Sequence, residues 1–151
     1  MWAALPAQAV LQGQLSRALH ALLPRVLHKG KRSYSLALDC TLIPYHGEVQ
    51  PNDPQVLRAQ AQSGTHHFHG YATVSIVHDR KRYVLALRLV RPGETMVAIV
   101  RDLLNRVRRL GLRVRRVCLD KESYSIAVFR TLDRRGNGCV MVVTVSGRTT
   151  P

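Results

Sequence analysis

The stretch Ser35-Leu36-Ala37-Leu38-Asp39-Cys40-Thr41-Leu42-Ile43-Pro44-Tyr45-His46-Gly47 decides how this chain is read. A run of apolar and β-prone residues delivers one carboxylate, Asp39, and is halted within a few residues by Pro44 and Gly47. It reads as a strand ending at Asp39. An acid at the end of a buried strand is costly unless it is paired or holds a metal. The pattern recurs about eighty residues later, where Val114-Arg115-Arg116-Val117-Cys118-Leu119 reads as a strand with Asp120 at its end. Two strand-end aspartates in a basic chain point to a divalent-metal site that works on phosphates. Taken singly, each has an ordinary alternative. Asp39 can be a turn residue, and Asp120 can pair with Lys121 or cap the helix that follows.

The charge balance narrows the partner. The 151 residues carry 23 Lys plus Arg against 9 Asp plus Glu, a net +14. Arg outnumbers Lys, and its planar fork matches phosphate bidentately. Such a chain favours a polyanion, nucleic acid first and an anionic membrane surface second. Apolar content is that of a globular protein, and no run reaches transmembrane length. Met1 to Leu11 is apolar without a basic leader, which argues against a secretory signal. Cys40, Cys118 and Cys139 lie in apolar runs without C-x-x-C spacing and read as buried free thiols of a reducing compartment. The expected location is cytoplasmic, nucleoid-associated when bound to DNA.

The remaining elements follow from periodicity. Ala7 to Leu27 reads as a helix with Leu11, Leu15, Ala18, Leu19, Leu22 and Leu23 on one face, interrupted at Pro24. His28-Lys29-Gly30-Lys31-Arg32 is a basic loop, either a solvated connection or a phosphate contact through Lys29, Lys31 and Arg32. Glu48 to Ala61 lacks a clean period, and Pro51-Asn52-Asp53-Pro54 forces a loop. His66, His67 and His69 sit in Gly64–Gly70, read as a surface loop or as polar contacts to a substrate strand. No cysteine pair or H-x3–5-H partner frames them, so structural zinc is disfavoured. Tyr71–His78 and Arg82–Val90 form a hairpin across Asp79-Arg80-Lys81. Tyr83, Leu85, Leu87 and Leu89 are expected on one face and Arg82 and Arg88 on the other.

Two helices and a last strand complete the chain. Glu94 or Thr95 can cap a helix running to about Leu110, closed by Gly111. Ser123 can cap a second helix through about Arg134, buried through Ile126, Ala127, Phe129 and Leu132. Cys139–Val145 is a β-branched strand. This order implies an α/β fold with a mixed sheet, three antiparallel strands then βαβ units, and helices on both faces. The first and fourth strands can lie side by side, which brings Asp39 to Asp120. Two such acids repel and call for cations between them, and a pair of Mg2+ ions is one solution.

Leu36–Gly47 resembles the first catalytic block of insertion-sequence transposases with a ribonuclease H-like DDE domain, in the IS-four-like group. Gly64–Thr73 resembles that family's segment entering strand two, and Leu119-Asp120-Lys121-Glu122-Ser123-Tyr124-Ser125 its second catalytic block. The resemblance spans roughly Leu15 to Arg148. It implies residues 1–32 as a helical segment with a basic loop and 33–151 as a partial ribonuclease H-like catalytic domain. It implies Asp39 and Asp120 as the first two metal-binding, catalytic acids, with Mg2+ or Mn2+ as cofactor and DNA, both transposon ends and target, as partner. A homodimer is implied for the full-length family, and no membrane association. Lys121 and Arg148 join the basic loop and the three histidines as candidate DNA contacts. The family's third acid, a Glu, comes from a helix beyond the Cys139–Val145 strand, and this chain ends before it. Glu122, where the family often has a small residue, reads as a first-turn charge. The expectation is a truncated or inactive transposase, its DNA strand cleavage and transfer weak or absent. The alternative is a non-catalytic basic nucleic-acid-binding module.

Overall fold

Alternating and β-branched runs, broken by Pro, Gly and polar turns, build one sheet with helices packed on it. The computed structural model describes residues 8–28, 33–51, 53–78, 80–120, 123 and 125–141. The elements are α1 (Gln8–Ala21), α2 (Arg25–His28), β1 (Ser33–Pro44), β2 (Leu57–Gln62), β3 (Thr65–His78), β4 (Lys81–Val90), α3 (Met96–Arg109), β5 (Arg113–Leu119), α4 (Ile126–Asp133) and β6 (Gly138–Met141). Strands β3, β1, β5 and β6 lie side by side, and β2 and β4 both pair with the outer edge of β3. The β4–β3–β1 part is antiparallel. β5 then runs parallel to β1, and β6 parallel to β5, each reached through a helix. This is the mixed sheet expected from the order of elements, an antiparallel part continuing into βαβ units. No helix among the described residues is long and apolar enough to cross a membrane.

The core lies under one face of the sheet. Alternation sends Leu36 and Leu38 of β1, Ala72, Val74 and Ile76 of β3, and Val117 and Leu119 of β5 to that face, all buried. Helix α3 meets them with Ile99, Val100, Leu103, Leu104 and Val107. Helix α4 adds Val128 and Leu132. Thr95 caps α3, its hydroxyl accepting from the Ala98 N–H. Glu94 does a different job from the one expected at a helix start. Its carboxylate accepts the Arg91 N–H at 2.8 Å and pairs with Arg88. Arg88 also reaches Asp102 at 3.4 Å, and Asp102 accepts from Arg106. This network ties β4 to α3.

Local expectations are corrected at several places. The first strand does not end at Asp39. It continues to Pro44, because its antiparallel ladder with β3 runs on to Pro44↔Phe68 after the parallel ladder with β5 has ended at Leu38↔Leu119. The Glu48–Ala61 segment ends in a strand, β2, joined to β3 by a two-residue turn at Ser63 and Gly64, both with positive φ. The histidine segment is therefore the start of β3 and not a loop. The apolar stripe of β4 is split by a bulge, since Val74 pairs with Ala86 but Ser75 with Val84. Leu87 and Leu89 thus share a face opposite to that of Tyr83. Arg82 and Arg88 lie on opposite faces, Arg82 donating to Ser75 Oγ at 3.0 Å.

Helix α4 starts later than expected, with Ser125 as its cap. Its buried pair is Val128 and Leu132, spaced i,i+4. Ile126 and Phe129 are 63% and 47% exposed, and Ala127 is exposed too. The N-terminal helix stops at Ala21, and Pro24 opens the short α2. Leu11, Leu15 and Leu22 of its expected stripe are exposed, while Leu23 and Leu27 enter the core. The continuation of the last strand, 142–145, lies outside the described residues.

One glycine marks where two strands crowd a third. A Cβ on Gly70 would strike Leu57 of β2 and approach Val90 of β4 at 3.2 Å. A bare backbone eases the end-to-end approach of β2 and β4 along β3.

The Glu94 network makes a pH prediction. Burial pushes the Glu94 carboxyl up, but the Arg91 N–H and the Arg88 guanidinium outweigh it and hold the group below its usual range. A depressed acid adds stability above its unfolded value, about 4.3, and loses it as pH falls through the folded value. Urea midpoints of the wild type should therefore fall more steeply between about pH 5 and about pH 3 than those of Glu94→Gln. Parallel slopes would show that the pairing contributes nothing.

Candidate functional site

The parallel ladder between β1 and β5 ends where the acids sit. It pairs Ala37 with Cys118 and Leu38 with Leu119. The next residues on the two strands are Asp39 and Asp120. Equivalent positions on neighbouring strands lie about 4.8 Å apart and point to the same face. Asp39 therefore shares one end of one sheet face with Asp120. That face is opposite the core, carrying Ser35, Ala37, Asp39 and Thr41 of β1 and Thr73 and Ser75 of β3.

The two carboxylates are engaged differently. Asp120 Oδ1 accepts the backbone N–H of Ser123 at 2.9 Å, which fixes the turn leading to α4. Asp120 thus holds the turn before α4 and does not cap the helix itself, whose cap is Ser125. Asp39 is half-buried, and its carboxylate makes no hydrogen bond or ion pair among the described residues. A half-buried acid without a partner is destabilising unless something cationic meets it.

Cys40 and Ser123 line the core side of this corner. Burial pushes the Cys40 thiol above its ordinary range. The Ser123 side chain opposes this, and the charges of Asp120 and Asp39 add to it. The thiol stays protonated at neutral pH. Ser123 is 1% exposed. Its Oγ sits beside the thiol without a hydrogen bond of ordinary geometry. In sequence Ser123 reads as a helix cap and Cys40 as a buried thiol. The Asp-x-x-Ser spacing is the available signal for Ser123, and only the fold reveals that Cys40 also borders Asp120 and Ser123. All three cysteines are free and half-buried, less enclosed than their apolar runs suggested.

The donor set suits a hard cation in an open site. Mg2+ keeps several waters and takes one or two carboxylates together with substrate phosphate oxygens. Asp39 and Asp120 are the two carboxylates at this corner. They do not make a closed cage, since no group of three or more His, Cys, Asp or Glu that could hold a metal converges among the described residues.

The candidate DNA contacts divide. Lys29, Lys31, Arg32, Lys121 and Arg148 lie outside the described residues, as does Glu122. His67 and His69 lie on the Asp39 face of β3, and His66 on the other. His69 Nδ1 is 3.0 Å from the Gln55 carbonyl oxygen, and its ring packs against Tyr45 at 4.8 Å. Along β3, His69 is about 13 Å and His67 about 20 Å from Thr73, the residue facing Asp39. The histidines are thus not part of the acid corner. His67 instead lines a cleft of about 920 Å3 with Val56, Arg58 and Arg91. Arg58 escaped notice because β2 did. Its signal was the strict alternation Leu57-Arg58-Ala59-Gln60-Ala61-Gln62 before Ser63-Gly64.

No protein-family model and no curated protein matches the chain. Transposases are among the solved structures that align with the chain. A piggyBac transposase synaptic complex with hairpin DNA aligns with TM-score 0.48 and 14% identity, over 79% of this chain and 25% of that one. The Mos1 strand transfer complex aligns at 0.40 and 18%, over 92% and 43%. The catalytic domain of Mos1 mariner transposase aligns at 0.40 and 15%, over 96% and 67%. This chain therefore spans a quarter of the piggyBac chain and under half of the Mos1 chain in its complex.

The two roles of Asp120 can be separated. Asp120→Ala removes the acceptor for the Ser123 N–H and should cost about 1 kcal/mol, read from urea midpoints. Asp120→Asn keeps an acceptor there and should unfold within about 0.5 kcal/mol of the wild type. Equal losses in both would mean that the charge, and not the turn, holds this corner.

Proposed function

We propose that this chain acts on DNA as part of an insertion-sequence transposase of the IS-four-like group, with Asp39 and Asp120 as the first two acids of its metal-binding triad. The observation that carries this reading is the register of β1 and β5. It sets two carboxylates side by side on the face away from the core, one of them without any partner among the described residues. The net charge of +14 supplies attraction for a DNA backbone.

Within this reading, Asp39 and Asp120 hold the cation, and the Ser123 N–H fixes the rotamer of Asp120. A bound Mg2+ or Mn2+ would supply Lewis-acid activation for an in-line phosphoryl displacement. A nucleic-acid strand would lie along the sheet face that carries Thr41 and Thr73 beside the acids. Lys29, Lys31, Arg32, Lys121 and Arg148 are proposed backbone contacts, with His66, His67 and His69 further along β3. The described residues supply two acids of a triad, so cleavage and strand transfer by this chain alone are expected to be weak or absent, as in an inactive remnant. Pairing of two element ends would call for a second copy, and a DNA-bound chain would sit in the nucleoid. A second reading, a non-catalytic DNA-binding module, draws on the lack of a third converging ligand among the described residues.

Element-end DNA separates the two. On the first reading, Mg2+ or Mn2+ tightens binding to nicked or 3′-hydroxyl ends, and Asp39→Ala abolishes that gain. On the second, binding follows salt alone, with a log–log slope of about −0.9 per phosphate contacted, and Asp39→Ala changes nothing. Robust strand transfer by the wild type, lost in Asp39→Ala, would contradict the weak-activity expectation and leave the metal-site assignment standing.

A further inference from the structure

Helix α3 has two unlike flanks beside its buried stripe. On the flank toward β4, Asp102 and Arg106 join Arg88 and Glu94 in a compensated network. On the flank toward α4, Arg101, Asn105 and Arg108 recur at i, i+4 and i+7. Arg135 lies just past the end of α4. Its Nη1 donates to Asn105 Oδ1 at 3.1 Å, which holds the guanidinium over this flank. Arg101 and Arg108 are exposed and Arg135 is half-buried. None of the three has an ion-pair partner among the described residues. Burial first, then the charges of Arg108 and Arg101, push the Arg135 guanidinium below its ordinary range. Arg109 and Arg134, both exposed, add to the same end of the helix pair. Like charges gathered without an acid repel one another, and an anion between them removes that penalty.

We propose that the α3–α4 side is a second nucleic-acid surface, where Arg101, Arg108 and Arg135 grip the phosphate backbone of a duplex. The chemistry favours phosphate. Three guanidinium forks offer bidentate donors to phosphate oxygens, and Asn105 pre-sets one of them. The binding is read without sequence preference, because the donors are spaced along a helix flank and address a backbone. The location makes the surface separate from the acid corner. Both helices pack on the core face, whereas Asp39 and Asp120 lie on the opposite face. A sheet and a helix about 10–12 Å across stand between. A duplex on one side leaves the other free, so one molecule can hold two segments of DNA. This surface does not depend on what the acids do.

The test uses the full chain, a short duplex of arbitrary sequence, EDTA and a series of salt concentrations. Four variants are compared, each checked by thermal melting: Arg101→Gln/Arg108→Gln/Arg135→Gln, Arg101→Gln alone, the charge-matched control Arg17→Gln/Arg25→Gln/Arg80→Gln, and Asp39→Asn/Asp120→Asn. The controls Arg17, Arg25 and Arg80 are exposed elsewhere. The α3–α4 triple variant should lose about 2.7 from the log–log salt slope, about 0.9 for each contact, and exposed Arg101→Gln alone about a third of that. The charge-matched control and the acid variant should keep the wild-type slope. Equal losses in both triple variants would reduce the effect to bulk charge and overturn the proposal. So would an unchanged slope in the α3–α4 variant. A poly-glutamate chain that binds this flank more tightly than the duplex would assign it to an acidic protein and overturn it as well.

Discussion

The placement of the two aspartates hangs on one pairing, the parallel ladder between β1 and β5. Its register is set by hydrophobic burial. Leu36 must lie beside Val117 and Leu38 beside Leu119 for both strands to meet α3 with apolar side chains. A one-residue slip would turn each strand's apolar set to solvent, so the register is strongly specified. Once it is fixed, Asp39 and Asp120 have no freedom. They are the next residues on neighbouring strands, on the face the core does not use. The acids are placed by leucines and valines that do no chemistry.

The sheet around this pair is organised by β3. Its inner edge carries β1 along eight paired positions, from Ala37↔Ser75 to Pro44↔Phe68. Its outer edge carries β4 and β2 end to end, with Gly70 at the seam. The bulge in β4 lets the strand bury Leu85 while handing Arg88 to the α3 network and Arg82 to Ser75. Compensated charge therefore lies on the β4 side of α3, and uncompensated arginine on its α4 side. The same helix stabilises the fold on one flank and faces outward as a cation on the other.

Much of this was legible in the residues. The hairpin of β3 and β4, the α3 cap and stop, and the meeting of Asp39 with Asp120 all follow from periodicity and from rules for connecting strands. What escaped was set by contacts between distant segments. β2 was masked by the Pro51–Pro54 turn before it, although its alternation was present. The β4 bulge leaves no mark in local sequence, since an extra residue in a ladder is defined by its partner strand. The start of α4 was misplaced because two serines, Ser123 and Ser125, are both good caps. The Asp120 carboxylate takes the N–H of the first and leaves the helix to the second. Cys40 beside Asp120 and Ser123, and Arg135 beside Asn105, join positions far apart in the chain, so no window of sequence contains them.

A shared cation site is the central claim, and direct metal binding tests it without DNA or turnover. Mn2+ would be titrated into the wild type, Asp39→Asn, Asp120→Asn and the double variant, and followed by the loss of free-ion paramagnetic signal. A shared site predicts saturable binding by the wild type, its loss in either single variant, and no further loss in the double. Additive partial losses, or binding indifferent to both substitutions, would contradict it and leave the two aspartates as neighbours without a common ligand.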